Sequence, residues 1–213
     1  MIVAIDGPAG AGKSTVARQL AARLGFRYLD TGAMYRALTW LAMQRGLKLF
    51  EGDALGRLAE ENPVTFDDAG RVWIAETDVT ASIRESRIDQ QVPVVAGHPA
   101  VRAVMRERQR QLADTGDVVM EGRDIGTVVV PNAEVKVYLS ADADVRARRR
   151  QAERPDIGGD ALVTDLRRRD ERDSVRLQPA LDAEQIDTTT LEVNDVVSRI
   201  ERLVQDRVAA SQR

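Results

Sequence analysis

The 213-residue sequence predicts an α/β fold, a five-stranded parallel sheet flanked by helices, on three observations. A glycine-rich loop joins an apolar strand to an apolar-faced helix within the first 24 residues. Strand-length apolar runs then alternate with helical patterns along the chain, and one β-rich stretch interrupts that rhythm.

The first strand is the apolar run 1–6. Gly7-Pro8-Ala9-Gly10-Ala11-Gly12-Lys13-Ser14 follows and fills every position of the G-x-x-x-x-G-K-[ST] phosphate-binding loop. In the helix after it, expected over 14–24, Val16, Leu20 and Leu24 share one face. Such a loop turns successive N–H groups inward at a helix N-terminus, where anionic oxygens bind. The motif assigns residues 7–14 and the adjoining Thr15 to a nucleoside triphosphate, Lys13 to its β- and γ-phosphates and the Ser14 hydroxyl to Mg²⁺, a cation that prefers oxygen ligands.

A second strand, turn and helix follow. The stretch from Gly25 to Arg36 reads as a short strand running into a glycine-containing turn, Asp30 and Thr31 stand at the helix cap, and Leu38, Leu41 and Ala42 form the apolar face of a helix over 33–45. Arg36 lies in its first turns, within reach of an anion. Residues 46–98 break the rhythm. Val64-Thr65-Phe66 and Val72-Trp73-Ile74 read as a hairpin and Asp78-Val79-Thr80 as a third strand, so this stretch reads as an insert. Helices are expected over 82–91 and 100–112, and His98 between them reads as a surface or capping residue.

The sheet pattern resumes with a strand at 117–120 that ends in Glu121-Gly122-Arg123-Asp124-Ile125-Gly126-Thr127. Ligands of open parallel sheets bind beyond the carboxyl ends of strands, so this charged block reads as one wall of a cleft. Residues 135–139 read as the fourth core strand and 140–151 as a helix capped by Ser140. Arginines 146, 148, 149, 150 and 154, the loop 155–159 and the charged run 167–176 read together as a lid. A short last strand at 185–187 and an amphipathic helix over 191–210 close the domain.

Composition excludes several classes. Net charge is −3 with the two signs mixed, which gives no global pull toward nucleic acid. Of 31 basic residues only Lys13, Lys48 and Lys136 are lysine, so local anion binding falls to arginine. No cysteine is present, which rules out disulfides and thiolate metal sites. With no basic n-region at the N-terminus and no apolar run of about 18 residues, neither a signal peptide nor a membrane span is expected, and a cytoplasmic enzyme is.

A phosphate-binding loop alone does not separate a kinase from a switch or a motor. An acceptor that is itself a phosphate needs its own arginines and no strong base, which fits Arg36, Arg123 and a chain with one histidine. Two other readings stay open on the residues: a P-loop kinase of another small acceptor such as shikimate or gluconate, and a nucleotide-gated binding or switch protein. The hairpin insert and Glu121 to Asp124 weigh against the first, and the lack of an Asn-Lys-x-Asp motif weighs against a GTPase.

The phosphate loop, Tyr28-Leu29-Asp30-Thr31-Gly32-Ala33-Met34-Tyr35-Arg36, Glu121-Gly122-Arg123-Asp124-Ile125-Gly126-Thr127-Val128-Val129 and Arg169-Asp170-Glu171-Arg172-Asp173-Ser174-Val175-Arg176, in this order, resemble bacterial cytidylate kinase essentially end to end. The resemblance implies the nucleoside monophosphate kinase fold of P-loop proteins and transfer of phosphate from ATP, with Mg²⁺, to CMP or dCMP. It implies a single kinase domain over 1–213, acting as a monomer, with its core at 1–36, 100–150 and 177–213, a monophosphate-binding insert at 37–99 and a lid at 151–170. It places Arg36 and Arg123 on the CMP phosphate, Thr31, Arg102 and Asp124 at the cytosine, Arg169 and Asp173 on the sugar, and Arg176 near the base. Lys13, Arg123, Arg149 and Arg169 are the residues it implies for catalysis. The chain departs from the pattern at Pro93-Val94-Val95, where the family offers a serine for the base, and at 184–190, which is more polar than the family's last strand.

Overall fold

β1 (Ile2–Asp6) comes from the first apolar run, with all but its first residue buried. The structure is a computed structural model and describes residues 1–67, 69–153, 163–164, 166, 168, 170–171, 173 and 176–211. With β2 (Arg27–Asp30), β6 (Val118–Glu121), β7 (Val135–Ser140) and β8 (Glu184–Asp187), β1 forms a five-stranded parallel sheet in the order β2-β6-β1-β7-β8. Ile5 of β1 lies opposite Glu121 of β6 on one side and Val137 of β7 on the other. The carboxyl ends of β1 and β6 are therefore neighbours, and the loop 7–12 leaves the sheet beside the block that begins at Glu121.

Helix α1 (Lys13–Leu24) ends at Gly25, which takes the left-handed conformation at φ 69° and donates its N–H to Ala21 O. Its Val16 and Leu20 pack with Val197 and Ile200 of α7 (Val193–Ser211) on Val3, Ile5, Val137 and Ile186 of the sheet. Each fully buried Leu or Ile contributes about 1.5–3 kcal/mol. α6 (Ala143–Glu153) follows β7, and Ser140, expected to cap that helix, is instead the last residue of β7.

By its contacts the chain divides into two units, Met1–Leu29 with Gly116–Arg213, and Asp30–Thr115. The second contains α2 (Thr31–Gln44), α3 (Gly52–Glu61), α4 (Ser86–Val95), α5 (Pro99–Ala113) and an antiparallel sheet of β3 (Thr65–Phe66), β4 (Val72–Ile74) and β5 (Thr77–Asp78). It has its own core, which includes Met34, Leu38, Leu55, Ile74 and Ile83. The insert expected at 37–99 falls inside this unit, which also takes in the start of α2 and all of α5.

Two elements of this unit differ from the sequence reading. Residues 52–61, left unassigned there, form α3: Leu55, Leu58 and Ala59 make a helical stripe despite two glycines. Those glycines serve packing, since a Cβ on Gly56 would lie 3.0 Å from Ala100 Cβ, and one on Gly52 would lie 2.8 Å from His98 Nδ1. His98 is the N-cap residue of α5, with Nε2 2.8 Å from Leu49 O, a structural position. The single helix expected at 82–91 is instead a 3₁₀ turn, Ser82–Arg84, followed by α4, because Glu85 is extended at ψ 144°.

Most of the expected lid at 151–170 lies outside the described residues, as does Arg169. No helix among the described residues is long and apolar enough to cross a membrane.

Candidate active site

The phosphate loop is held by its carbonyls. Arg123 Nη1 donates to Gly7 O at 2.6 Å, Lys13 Nζ to Pro8 O at 2.7 Å, Arg146 Nη1 to Ala9 O at 3.2 Å, and Thr188 Oγ1 lies 3.2 Å from Ala11 O. In a trans peptide the C=O and N–H point opposite ways. Anchoring the carbonyls of Pro8, Ala9 and Ala11 therefore turns the N–H groups of Ala9, Gly10 and Gly12 toward the other side, as an anion cradle requires. Glycine is needed where the loop passes its neighbours: a Cβ on Gly7 would lie 2.1 Å from Leu139 O, and one on Gly10, at φ 78°, 2.8 Å from Arg146 O. Gly12 is the N-cap of α1, so Lys13, Ser14 and Thr15 form the helix's first turn beside the loop.

Ser14 Oγ donates to Glu121 Oε2 at 2.9 Å, and Tyr28 OH donates to Glu121 Oε1. Glu121, at the end of β6, is buried, and the Arg18 guanidinium lies 5.4 Å from the centroid of the Tyr28 ring. In the sequence Glu121 stands only within a charged cleft wall; the signal for a place in the site is its position at a buried strand's carboxyl end. Ser14 and Glu121 are hard oxygen donors of the kind Mg²⁺ takes. Among the described residues no group of three or more His, Cys, Asp or Glu could hold a metal by itself, so an ion here would depend on nucleotide phosphates and water for its remaining ligands.

Beyond Glu121 the chain makes a short π-helical turn, Ile125–Val129, with Val130 N donating to Ile125 O at 2.8 Å and Val129 N to Asp124 O at 3.1 Å. Such turns are rare and frequent at functional sites. Asp6 fixes this one, its two carboxylate oxygens accepting the N–H groups of Ile125 and Gly126 at 2.8 Å each. Burial pushes the Asp6 carboxyl up to about 6, against the pull of those two donors. Asp124 is buried at the start of the turn.

Arg123 makes a second contact, Nε to Asp173 Oδ2 at 3.2 Å, and Arg176 Nη1 lies 3.3 Å from Asp173 Oδ1. The structure thus gathers Arg123, Asp173 and Arg176 at the loop's first glycine. Arg149 instead donates to Thr188 Oγ1 at 2.9 Å and Thr188 O at 2.7 Å, and Arg146 pairs with Asp170 at 2.7 Å. Thr188, which no motif in the sequence marks, is a buried hydroxyl that ties β7, the loop and Arg149 together.

The second unit holds Thr31, Arg36 and Arg102. Asp30, not Thr31, caps α2: its Oδ1 accepts from Ala33 N at 2.8 Å, while Thr31 is the buried first residue of the helix. Asp30 also receives Arg36 Nη2 at 2.8 Å and Arg84 Nη2 at 2.9 Å on Oδ2. Burial opposes its charge, but Arg36 and Arg84 outweigh it and hold its carboxyl below the ordinary 3.8. Arg102 lies half-buried near the start of α5.

A glycine-rich loop pinned at the carboxyl edge of a parallel sheet, with lysine, serine and arginines around it, defines a P-loop protein of the small-kinase fold. Solved structures agree on the fold: a shikimate kinase from Bacteroides thetaiotaomicron matches with a TM-score of 0.52 at 15% identity over 96% of this chain and 98% of its own. A gluconokinase from Sinorhizobium meliloti matches with a TM-score of 0.52 at 13% identity over 98% of this chain and 94% of its own. The sequence goes further, since residues 3–206 match the cytidylate kinase family, and the chain belongs to that family. It is 45% identical to a cytidylate kinase from an Exiguobacterium species over 96% of both chains, and 44% identical to that of Bacillus subtilis over 96% of both. A bifunctional pantoate ligase/cytidylate kinase from a Nostoc species is 44% identical over 98% of this chain, which spans only 42% of that relative's length.

Proposed function

We propose that the chain transfers the γ-phosphoryl group of ATP to CMP or dCMP, giving CDP or dCDP, as a Mg²⁺-dependent monomer in the cytoplasm. The observation that carries this reading is Arg123, whose guanidinium touches both the first glycine of the triphosphate loop and Asp173. A cation there serves donor and acceptor chemistry together, whereas a switch protein needs none for an acceptor.

In this reading the 7–15 segment binds the ATP phosphates and Lys13 neutralises charge on the transferring group. Mg²⁺ would be held by Ser14, and through it Glu121, with the nucleotide phosphates, and when bound it neutralises charge on the β- and γ-oxygens. Arg36 and Arg123 hold the acceptor phosphate, which attacks through an oxygen already ionised, so no general base is needed. Asp173 takes the sugar hydroxyls together with Arg169. Asp124, with Thr31, Arg102 and Arg176, reads cytosine, whose N4 amino group donates where uracil presents an acceptor. Arg149, set by Thr188, and Arg169 complete the charge around the γ-phosphate.

Phosphorus NMR of ATP, Mg²⁺ and CMP with the protein tests the reaction. Appearance of CDP with loss of the ATP γ-resonance is expected, whereas slow hydrolysis to inorganic phosphate at a rate CMP does not change would make the chain a nucleotide-gated switch.

A further inference from the structure

We infer that Asp30 is a positioning residue that presents Arg36 and Arg84 as one paired clamp for the acceptor's phosphate, with Arg84 a phosphate-binding residue in its own right. The inference rests on the CMP-phosphorylating reading and adds to it a residue that the sequence pattern did not single out.

The clamp is assembled wholly within the Asp30–Thr115 unit. Asp30 is 6% exposed, and Oδ1 takes the Ala33 N–H, which locks the carboxylate against rotation. Both arginines reach the same oxygen, Oδ2, from Nη2, at 2.8 and 2.9 Å. Their Nη2 atoms therefore lie within about 6 Å of each other, a span that one phosphate can bridge with two N–H···O bonds of ordinary length. One carboxylate between two guanidiniums leaves a net positive charge, the balance an anionic ligand needs.

The placement of Arg84 is not incidental to a flexible surface. It ends the 3₁₀ turn Ser82–Arg84, and Ile83 beside it is completely buried in the second core. The turn is closed by Ile83 N to Val79 O at 2.9 Å and Arg84 N to Ala81 O at 3.0 Å. Half of the Arg84 side chain remains exposed, and Asp30 engages one of its five N–H donors, the rest having no hydrogen-bond partner among the described residues. Gly32 makes room for the other arm, because a Cβ there would lie 3.2 Å from Arg36 Nη1 and from Asp30 Oδ1. An arginine that only stapled the turn to α2 would call for neither the exposed donors nor a second guanidinium on the same oxygen.

The test compares the full-length protein with Arg84→Ala and Arg84→Lys, reading the KM for CMP, the KM for ATP, the affinity for cytidine by calorimetry, and the melting temperature. Arg84→Ala should raise the CMP KM about 10- to 100-fold, the worth of one charge-assisted hydrogen bond. It should leave the ATP KM and cytidine affinity within about twofold, and lysine should restore part of the loss. Asp30→Asn, which keeps an acceptor for Ala33 N but drops the charge, should raise the CMP KM in the same direction. An unchanged CMP KM with a lowered melting temperature would make Arg84 a structural staple and overturn the inference. Equal losses of CMP and cytidine would overturn it as well, since cytidine has no phosphate. Failure of the unsubstituted chain to turn over CMP at all would overturn the functional reading first, and the inference with it.

Discussion

Replacing Asp6 by asparagine probes the joint between the phosphate loop and the turn Ile125–Val129, which follows Arg123 and Asp124. Asp6 is buried, its carboxyl is pushed up to about 6 by that burial, and it accepts two backbone N–H groups. A native pKa above the unfolded one means the folded chain binds the proton more tightly, so the Asp6 contribution is fully present below 3.8 and is lost as pH rises through about 6. The interval from 3.8 to about 6, at roughly 1.36 kcal/mol per pH unit, amounts to about 3 kcal/mol. Asparagine does not titrate, and it faces one of the two N–H groups with a donor of its own, an unpaired contact worth about 1–3 kcal/mol. Denaturation followed by far-ultraviolet circular dichroism, at pH values from 4.5 to 7.5, gives the stability difference between the two proteins. That difference should shift by about 2 kcal/mol against the aspartate across the range, since the first part of the loss falls below pH 4.5, with most of the change below pH 6.5. A difference that stays flat with pH would refute the reasoning, because Asp6 would then not be held protonated by burial.

Other consequences follow from the loop's anchors. Thr188→Val removes the hydroxyl that Arg149 donates to and that serves Ala11 O and Ser140 O, and should destabilise the protein by about 1–3 kcal/mol in chemical denaturation, whereas Thr188→Ser should stay close to the unsubstituted protein. Gly10→Ala places a Cβ 2.8 Å from Arg146 O at a φ of 78°, so ATP affinity measured by calorimetry should fall at least about tenfold with a lower melting temperature, the mark of an alanine forced to positive φ.

What the sequence revealed and what it concealed divide along contact distance. Residues 7–14 were legible because the chemistry is contiguous, and the flanking strand and helix follow from a change of apolar period within 24 residues. The five core strands were legible for the same local reason. α3 was hidden by Gly52 and Gly56, which lower helix propensity yet are required by its packing on His98 and Ala100. The break at Glu85 was hidden because residues on both sides keep an apolar stripe while one ψ angle changes. Arg84 meets Asp30 across 54 residues, and Thr188 meets Ala11 across 177, so no window of sequence shows either. Glu121 was seen, but only its meeting with Ser14 and Tyr28 gives it a role.

The central claim is that this site passes phosphate to a cytosine nucleotide, and the ratio of kcat/KM for CMP to that for UMP, measured by coupled ADP release at saturating ATP and Mg²⁺, tests it most directly. A buried acceptor facing uracil O4 in place of the cytosine amino group costs about 1–3 kcal/mol, so CMP should exceed UMP by roughly 5- to 150-fold. Equal values for the two, or turnover with neither, would contradict the account.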